Sequence, residues 1–390
     1  MSLSFANSEL AFKHKSNLDL KKSYLLFKAL EFPIIVNYAP KLVNFLINMK
    51  LPIKGLIKKT VFQQFCGGET IEESNYFAKN LHRNNIGSIL DYSVEGEGVL
   101  DDFIKTFEEL KLVINEAASK PEYPFAVFKS SGIGLFSVLA SKSANKKLPP
   151  EEQKQYDEIV ERINFLCKLA YQNKVKLLID AEETWIQDAV DEIVYKNAEE
   201  FNSDDIIIYN TIQLYRKGRI KEIIKQIDLA RKFGYKIGFK LVRGAYMEKE
   251  AKRAHQMSYP NPIQDTKKDS DNDYNQALKI CFENRDIVAV MAGTHNEESS
   301  LLLAELIENN NISKSDDRFW FAQLYGMSDH ISYNLAHKGF NVAKYLPYGP
   351  VKEVLPYLSR RAQENSSVKG QSSRELTLIR QELKRRNALK

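Results

Sequence analysis

Eight short runs rich in β-branched and aromatic residues recur along the chain, mostly separated by helical stretches. They are Ser88–Ser93, Phe125–Ser130, Val175–Glu182, Asp205–Gln213, Lys236–Gly244, Ile287–His295, Arg318–Gly326 and Val342–Gly349. Strands that alternate with helices at this spacing indicate parallel βαβ units. Eight such units over about 260 residues favour a (β/α)8 barrel over a doubly wound sheet. A doubly wound nucleotide fold would also carry G-x-G-x-x-G after its first strand, and the sequence lacks that motif.

The N-terminal part of the chain has a helical pattern. Apolar residues recur at spacings of three and four from residue 1 to about residue 59, and Pro33, Pro40 and Pro52 divide the pattern into short helices. Gly67 and Gly68 end an apolar helix. We therefore predict a helical segment over residues 1–60, the barrel over 61–370 and a charged helical tail over 371–390.

Composition excludes several classes of protein. The net charge of +5 is mild and scattered, which argues against nucleic acid but is compatible with an anionic substrate or a membrane surface. Cys66, Cys167 and Cys281 lie far apart without a C-x-x-C pair, so we predict no disulfide framework, no zinc or other metal site, and a reducing compartment. No secretory signal and no run of about twenty apolar residues is visible.

Charged and hydrogen-bonding residues cluster where the predicted strands end. They are Asp91, Glu95, Lys129, Asp180, Glu182, Gln213, Lys240, Arg243, Thr294, His295, Gln323 and Tyr345. In a (β/α)8 barrel the strand C-termini meet at one face, where the active site lies. Each residue alone has a simpler interpretation. Asp180 and its neighbours could cap the next helix, His295 could be a loop histidine, and Lys129 could be a surface lysine.

A helix predicted after the last strand carries a second group of polar side chains. Gly349 and Pro350 break the strand, and Pro350 suits the first turn of a helix. Helical spacing then places Tyr357 and Glu364 beside both Arg360 and Arg361. Two adjacent guanidinium groups form a forked donor surface suited to a carboxylate or a phosphate. The alternative is a solvated helix face with an Arg360–Glu364 pair.

Several motifs together resemble the proline dehydrogenase family of flavoenzymes. They are KLVRGAY at Lys240, YLPYGPVKEVLPYLSRRAQEN at Tyr345, LDYSVE at Leu90, FKSSGIG at Phe128, DAEE at Asp180, IQLY at Ile212, GTHN at Gly293 and QLYGM at Gln323. They occur in the family's order between Phe62 and Asn365. The resemblance implies a distorted (β/α)8 barrel with N-terminal helices, in agreement with the strand pattern. Without an aldehyde dehydrogenase domain after the barrel, the chain resembles the monofunctional form.

The resemblance also implies roles for individual residues. Arg360 and Arg361 would hold the carboxylate of L-proline with Lys129, which Asp180 would position, and Glu95 would form a gating ion pair with Arg360. The ring pocket would be lined by Tyr246, Leu324, Tyr345 and Tyr357. In the family branch that prefers 4-hydroxyproline, the position of Tyr345 carries a small residue. The residues implied to contact FAD are Asp180, Gln213, Lys240, Val242, Gly244, Ala245, Thr294, His295, Asn296, Arg361 and Glu364.

The implied reaction is hydride transfer from Cδ of L-proline to FAD, giving Δ1-pyrroline-5-carboxylate, with electrons passed on to a membrane quinone. The implied location is cytoplasmic, including peripheral contact with the inner face of the membrane, or the matrix side in a mitochondrion. The sequence departs from many bacterial members at Lys240 and Arg243, where they carry Arg and Lys, at Met247, where some carry Trp, and at Ala322–Gln323.

Other functions fit parts of the pattern. Another flavin barrel, such as a methylenetetrahydrofolate reductase, would need acidic and aromatic pterin-binding residues in place of adjacent arginines facing tyrosines. A non-catalytic binding barrel, or a basic protein that associates with acidic lipid or RNA, would bind no flavin. A yellow purified protein would exclude these last two classes.

Overall fold

The computed structural model describes residues 3–32, 34–36, 38, 49, 54–94, 100–367 and 371–387. Eight parallel strands follow one another around a closed barrel in chain order. They are β1 (Ile86–Tyr92), β2 (Phe125–Lys129), β3 (Lys176–Asp180), β4 (Ile208–Gln213), β5 (Ile237–Val242), β6 (Val288–Gly293), β7 (Phe319–Leu324) and β8 (Val342–Tyr348). The predicted fold class is confirmed.

Helices connect the strands, and further helices precede β1 and follow β8. Their bounds are α1 (Ser8–Phe12), α2 (Asn17–Leu30), α3 (Lys54–Ile57), α4 (Gln63–Phe65), α5 (Ile71–His82), α6 (Leu100–Ser119), α7 (Phe136–Ser143), α8 (Pro150–Gln172), α9 (Thr184–Phe201), α10 (Arg219–Phe233), α11 (Met247–Met257), α12 (Lys267–Glu283), α13 (Glu297–Asn309), α14 (Asp329–His337), α15 (Val351–Ser367) and α16 (Gln371–Arg385). A π-helical stretch, Lys58–Phe62, joins α3 to α4. Among the described helices, none has the length and apolar character required to cross a bilayer.

The strands are largely buried on both faces because helices cover the parallel sheet. All six residues of β4 are buried, for example. This strand begins at Ile208, three residues later than predicted. The side chain of Asn202 accepts hydrogen bonds from the N–H groups of Ile207 and Ile208 at 2.9 and 2.8 Å, which holds the preceding chain outside the ladder.

The chain divides into two compact units, one formed by residues 1–95 with 323–390 and the other by residues 96–322. We call them the terminal unit and the central unit. In the terminal unit, aromatic residues of the N-terminal helices, such as Phe12 and Phe27, share one apolar cluster with Tyr357 of α15 and Ile379 of α16. The described N-terminal residues are helical from Ser8, whereas the predicted breaks at Pro33, Pro40 and Pro52 lie outside the described residues.

The entry into α15 differs slightly from the prediction. The helix begins at Val351, so Pro350 precedes its first turn, and the Pro350 carbonyl accepts hydrogen bonds from the N–H groups of Glu353 and Val354 at 2.9 and 3.1 Å. Gly349 has φ +142°, and a Cβ there would lie 2.9 Å from Cγ2 of Val94. Glycine therefore permits the close approach that turns the chain from β8 into α15.

Candidate active site

One carboxylate in the central unit is shared by two lysines at the C-terminal ends of strands. Asp180 ends β3, and its Oδ1 lies 2.6 Å from Nζ of Lys240 on β5. Its Oδ2 lies 4.0 Å from Nζ of Lys129, which ends β2. The Lys240 side chain is only 8% exposed, and the close pairing with Asp180 offsets part of the cost of burying its charge. The family resemblance implied the Lys129–Asp180 pair but not Lys240 as a second partner of Asp180.

Two further buried polar side chains are Glu182, two residues after Asp180, and Gln213, at the end of the next strand. Glu182 accepts a hydrogen bond from the N–H of Ser131 at 2.9 Å and another from the Ser131 hydroxyl. Burial raises the pKa of Glu182 to about 7, and the Ser131 hydrogen bonds only partly oppose that change. Gln213, at the end of β4, donates through Nε2 to the Glu182 carbonyl and to the Tyr215 hydroxyl, the latter at 2.8 Å.

These contacts leave one buried acceptor for a ligand. Oε1 of Gln213 has no hydrogen-bond partner within the described part of the chain, although the residue is 2% exposed. An unsatisfied buried oxygen is costly unless a ligand N–H completes it. After β5, Gly244 and Ala245 are exposed, and a Cβ at Gly244 would meet only Sδ of Met247 at 3.7 Å. The acceptor and the open glycine–alanine backbone fit a flavin, whose isoalloxazine ring carries an N–H.

Arg243 is held by a polar network just beyond β5. Its Nε donates to Oγ1 of Thr294 at 3.1 Å, and its terminal nitrogens contact Asp271 and Ser299. Its guanidinium carbon also lies 4.2 Å from the centre of the Tyr274 ring. A lysine could not make this forked set of contacts together with ring stacking, which gives a physical reason for arginine at this position.

The neighbouring GTHN motif combines binding and helix-capping features. Thr294 is buried, and the side chain of Asn296 caps α13 by accepting a hydrogen bond from the N–H of Ser299 at 2.9 Å. His295 is half-buried. The capping interaction commits the Asn296 side-chain oxygen within the protein, so its predicted contact with FAD would use its other groups.

The alternative that DAEE serves to cap the next helix is wrong. Helix α9 begins at Thr184, and no side chain of the motif caps it. Its first N–H and the Thr184 hydroxyl instead donate to Glu250 of α11, at 2.6 and 2.7 Å. Asp180 is therefore available to the two lysines. Met247, at the start of α11, is 44% exposed and is not a core residue.

The terminal unit contains the predicted substrate residues other than Lys129 and Tyr246. Tyr345 on β8 and Tyr357 on α15 are each 5% exposed, and Leu324 at the end of β7 is partly buried against the apolar cluster. The guanidinium carbon of Arg361 lies 4.9 Å from the centre of the Tyr357 ring, a cation–π arrangement that fixes the direction of the arginine. Arg360 is half-buried.

Some predicted positions lie at the limits of the described residues. Glu95 and the side chain of Glu364 lie outside them, so their predicted roles remain predictions. Ala322 and Gln323 are both 2% exposed, and Oε1 of Gln323 accepts a hydrogen bond from the Ser332 hydroxyl at 2.8 Å. The Gln323 amide is thereby oriented by α14. Val242 and Tyr246 are half-buried at the end of β5 and the start of α11.

Comparison with known proteins identifies the family. The sequence model of the family described as proline dehydrogenase matches residues 76–374. The chain belongs to the proline dehydrogenase family. It is 31% identical to proline dehydrogenase 1, mitochondrial, of Dictyostelium discoideum, over 95% of this chain and 73% of that protein. The family consists of flavin-dependent oxidoreductases.

Two further relatives show that family membership leaves the substrate open. The chain is 36% identical to the carbapenem antibiotics biosynthesis protein CarD of Pectobacterium carotovorum, over 85% of this chain and 86% of that protein. It is 30% identical to hydroxyproline dehydrogenase of Xenopus laevis, over 98% of this chain and 90% of that protein. Proline and hydroxyproline are therefore both to be considered as substrates.

Solved structures agree on the fold. Proline utilization A of Bdellovibrio bacteriovorus, inactivated by N-propargylglycine, superposes with a TM-score of 0.72 at 19% identity. The match covers 93% of this chain and 38% of that longer chain. Proline utilization A of Bradyrhizobium japonicum gives a TM-score of 0.65 at 22% identity, over 80% of this chain and 31% of that chain. This chain thus spans about a third of the length of these proteins.

Proposed function

We propose that the protein oxidises L-proline to Δ1-pyrroline-5-carboxylate with FAD as its cofactor. The observation that carries this proposal is the Asp180 carboxylate shared between Lys240 and Lys129 at strand C-termini, together with the unsatisfied buried oxygen of Gln213 at the end of another strand. In a family of flavin-dependent enzymes, such a site supplies one acceptor for the flavin ring and fixed positive charge next to it. The cofactor would contribute hydride acceptance, and the protein would contribute binding, orientation and electrostatics.

The residues of the central unit would hold the cofactor as follows. Gln213 would accept a hydrogen bond from the cofactor, and Gly244 and Ala245 would allow the backbone to approach it closely. Lys240, paired with Asp180, would supply positive charge to the cofactor site. Arg243 and Thr294 form a preassembled polar surface that suits the more polar part of FAD. Residues fixed before binding lose little freedom when the ligand arrives.

The residues of the terminal unit would select the substrate. Arg360 and Arg361 bind the proline carboxylate as forked donors, with Arg361 directed by its contact with Tyr357. Tyr345 and Leu324 pack against the ring. Holding the carboxylate and the ring in this way places Cδ for transfer, and such positioning contributes several kcal/mol to barrier reduction. Proline must lose its amine proton, because a protonated amine has no lone pair for the forming C=N bond.

Hydroxyproline is the second candidate substrate because of the Xenopus relative. The large, buried Tyr345 favours proline: a phenol packed against C4 leaves no room for a hydroxyl. We expect L-proline to be preferred over trans-4-hydroxy-L-proline by roughly one to two orders of magnitude in kcat/KM, the usual range for a pocket that discriminates by packing. We expect Tyr345→Ser to narrow this gap, mainly through weaker proline binding.

The test begins with the purified protein and its flavin absorbance. Addition of L-proline under anaerobic conditions should bleach the absorbance band, and kcat/KM for both substrates then gives the selectivity. A protein without flavin, or with a flavin that neither substrate bleaches, would refute the proposed function. Equal activity on both substrates would refute only the role of Tyr345.

We further propose that the electrons pass to a quinone in an anionic membrane and that α2 provides the contact surface. Leu18 and Leu25, seven residues apart on this helix, are 63% and 65% exposed, and Phe32, just beyond its C-terminal end, is 54% exposed. A spacing of seven keeps residues on nearly the same side of a helix. The opposite side of α2 is buried, as Leu20 and Phe27 show.

Charge on both flanks of this exposed surface fits lipid head groups. Lys21, Lys22 and Lys28 are exposed and lie to either side of the Leu18–Leu25 line. Exposed apolar side chains bordered by lysines are typical of helices that lie in the interface of an anionic bilayer. An apolar quinone dissolved in that bilayer would then be close to the enzyme.

Flotation with vesicles that contain phosphatidylglycerol tests this surface. The full-length protein should float with the vesicles, and Leu18→Glu with Leu25→Glu should abolish flotation while activity with a water-soluble dye acceptor is retained. Leu112→Glu, at a 55% exposed position on α6, is the matched control and should float normally. Undiminished flotation of the double variant would exclude α2 as the contact surface.

A further inference from the structure

A buried ionic cluster within the terminal unit consists of residues that the proposed function does not use. Lys344 on β8 has a side chain with no exposure, and its Nζ lies 2.7 Å from Oδ1 of Asp329 at the start of α14. Lys15, which follows α1, reaches the other oxygen of Asp329 at 3.1 Å. Burial alone would raise the pKa of Asp329, but Lys344 and Lys15 more than offset it and hold that pKa below its usual range.

The cluster also fixes the loop between β7 and α14. Nζ of Lys344 donates to the Met327 carbonyl at 2.8 Å. Nε2 of Gln64, on α4, donates to the Gly326 carbonyl at 2.8 Å. The N–H of Ser328 donates to Glu375 of α16 at 3.0 Å. Three consecutive residues of one loop therefore find their partners on three distant elements.

Two predicted pocket residues are adjacent to these contacts. Leu324 is the residue from which the loop departs, and Tyr345 follows Lys344 directly on β8. The N–H of Tyr325 donates to the Tyr345 carbonyl at 2.8 Å, so the two strand ends are joined at this point. A shift of Lys344 or of the loop would therefore move the backbone of both Leu324 and Tyr345.

Stability alone does not explain a buried charge pair here. Replacing a buried ion pair by apolar side chains of similar volume is often neutral or stabilising, because desolvation of the charges is costly. An ion pair whose lysine also donates to a backbone carbonyl defines a single arrangement of β8 and the β7–α14 loop, whereas apolar packing tolerates several arrangements. The Lys344–Asp329 pair can therefore fix the position of the neighbouring pocket residues.

We propose that Lys344 and Asp329 are positioning residues that set the substrate selectivity of the pocket by fixing Leu324 and Tyr345, and that Lys15 of the N-terminal segment acts on the pocket through Asp329. This inference rests on the proposed function of Leu324 and Tyr345. The inference gives the N-terminal segment and α16 a part in substrate selection, because Glu375 of α16 accepts a hydrogen bond from the β7–α14 loop.

The decisive variant replaces the whole pair, Lys344→Met with Asp329→Leu. Removing both charges leaves neither of these two unpaired. Lys15, which is 15% exposed, loses Asp329 and the Met327 carbonyl loses its donor, so the unfolding temperature should fall modestly. If the pair sets position, KM for L-proline should still rise on the order of ten- to hundredfold, the scale expected from a displacement of about 1 Å. The preference for proline over trans-4-hydroxy-L-proline should fall, while flavin content stays normal.

Two other variants separate positioning from folding. Lys176→Met removes a half-buried lysine paired with Asp317 in the central unit and should lower the unfolding temperature without changing selectivity. Lys15→Met, at a side chain 15% exposed, should change selectivity in the same direction as the paired replacement but by less. Wild-type KM and selectivity in the paired replacement would overturn the inference. Wild-type protein whose flavin is bleached by neither substrate would instead refute the proposed function. Failure of the inference and failure of the proposed function therefore give different results.

Discussion

Replacing Arg361 or Arg360 by alanine is expected to raise KM for L-proline roughly 30- to 150-fold, because loss of a charge-assisted, forked contact with a carboxylate costs about 2–3 kcal/mol. Arg361→Ala should also weaken FAD retention, since the same residue is predicted to contact the cofactor. Steady-state kinetics with varied proline, together with flavin content after gel filtration, measure both effects.

Arg231→Ala is a suitable control for these variants. Arg231 makes an exposed, two-pronged contact with Asp286 at 2.6 and 2.8 Å in the central unit. The substitution therefore removes a forked arginine–carboxylate interaction at the surface. It should leave KM unchanged. Arg361→Lys keeps the charge but loses the fork, and we expect it to lie between wild type and Arg361→Ala. Near-normal kinetics in both alanine variants would remove the arginines from the active site.

The arginine pair also illustrates what the sequence alone could establish. Eight strand-like runs identified the barrel, because β-rich composition and helical periodicity are local properties of the chain. Lys129, Asp180 and Gln213 could be proposed because each ends a strand, and strand ends in a barrel share a face. No local pattern indicated that Lys240 would share Asp180, since that contact joins residues 60 positions apart.

Gly326→Ala is expected to be the most destabilising single substitution proposed here. Gly326 has φ +74°, and an added Cβ would lie 1.8 Å from the backbone oxygen of Gln64. A main-chain atom cannot rotate away, so α4 or the β7–α14 loop must move. Combining backbone strain with overpacking gives a loss of roughly 2–5 kcal/mol in the free energy of unfolding. That is a large part of the 5–15 kcal/mol typical of a folded domain.

Gly234→Ala provides a closely matched comparison. Gly234 has the same φ of +74°, but no atom lies within 4 Å of its added Cβ. Urea unfolding of the two variants therefore separates the cost of positive φ from the cost of the contact. We expect Gly234→Ala to lose about 1 kcal/mol. Equal losses in the two variants would show that Gln64 yields to the methyl group.

The residues that the sequence did not single out share one property. Ser131, Lys344 and Asp329 are ordinary in their local context, and their significance comes from burial and from a partner distant in the sequence. The QLYGM motif marked the Gly326 loop without indicating what it contacts. A single sequence encodes periodicity well, but it does not record which distant side chain completes a buried hydrogen bond.

The terminal unit has a consequence for the order in which the protein is made. Its first half, residues 1–95, leaves the ribosome roughly 230 residues before its second half begins. At about 5–20 residues per second, helices α1 and α2 wait for tens of seconds before α15 and α16 exist to cover Phe12 and Phe27. During that interval the inner face of α2 is open to solvent along with its outer face. We expect nascent chains to be prone to aggregation through this apolar surface until α16 has been synthesised.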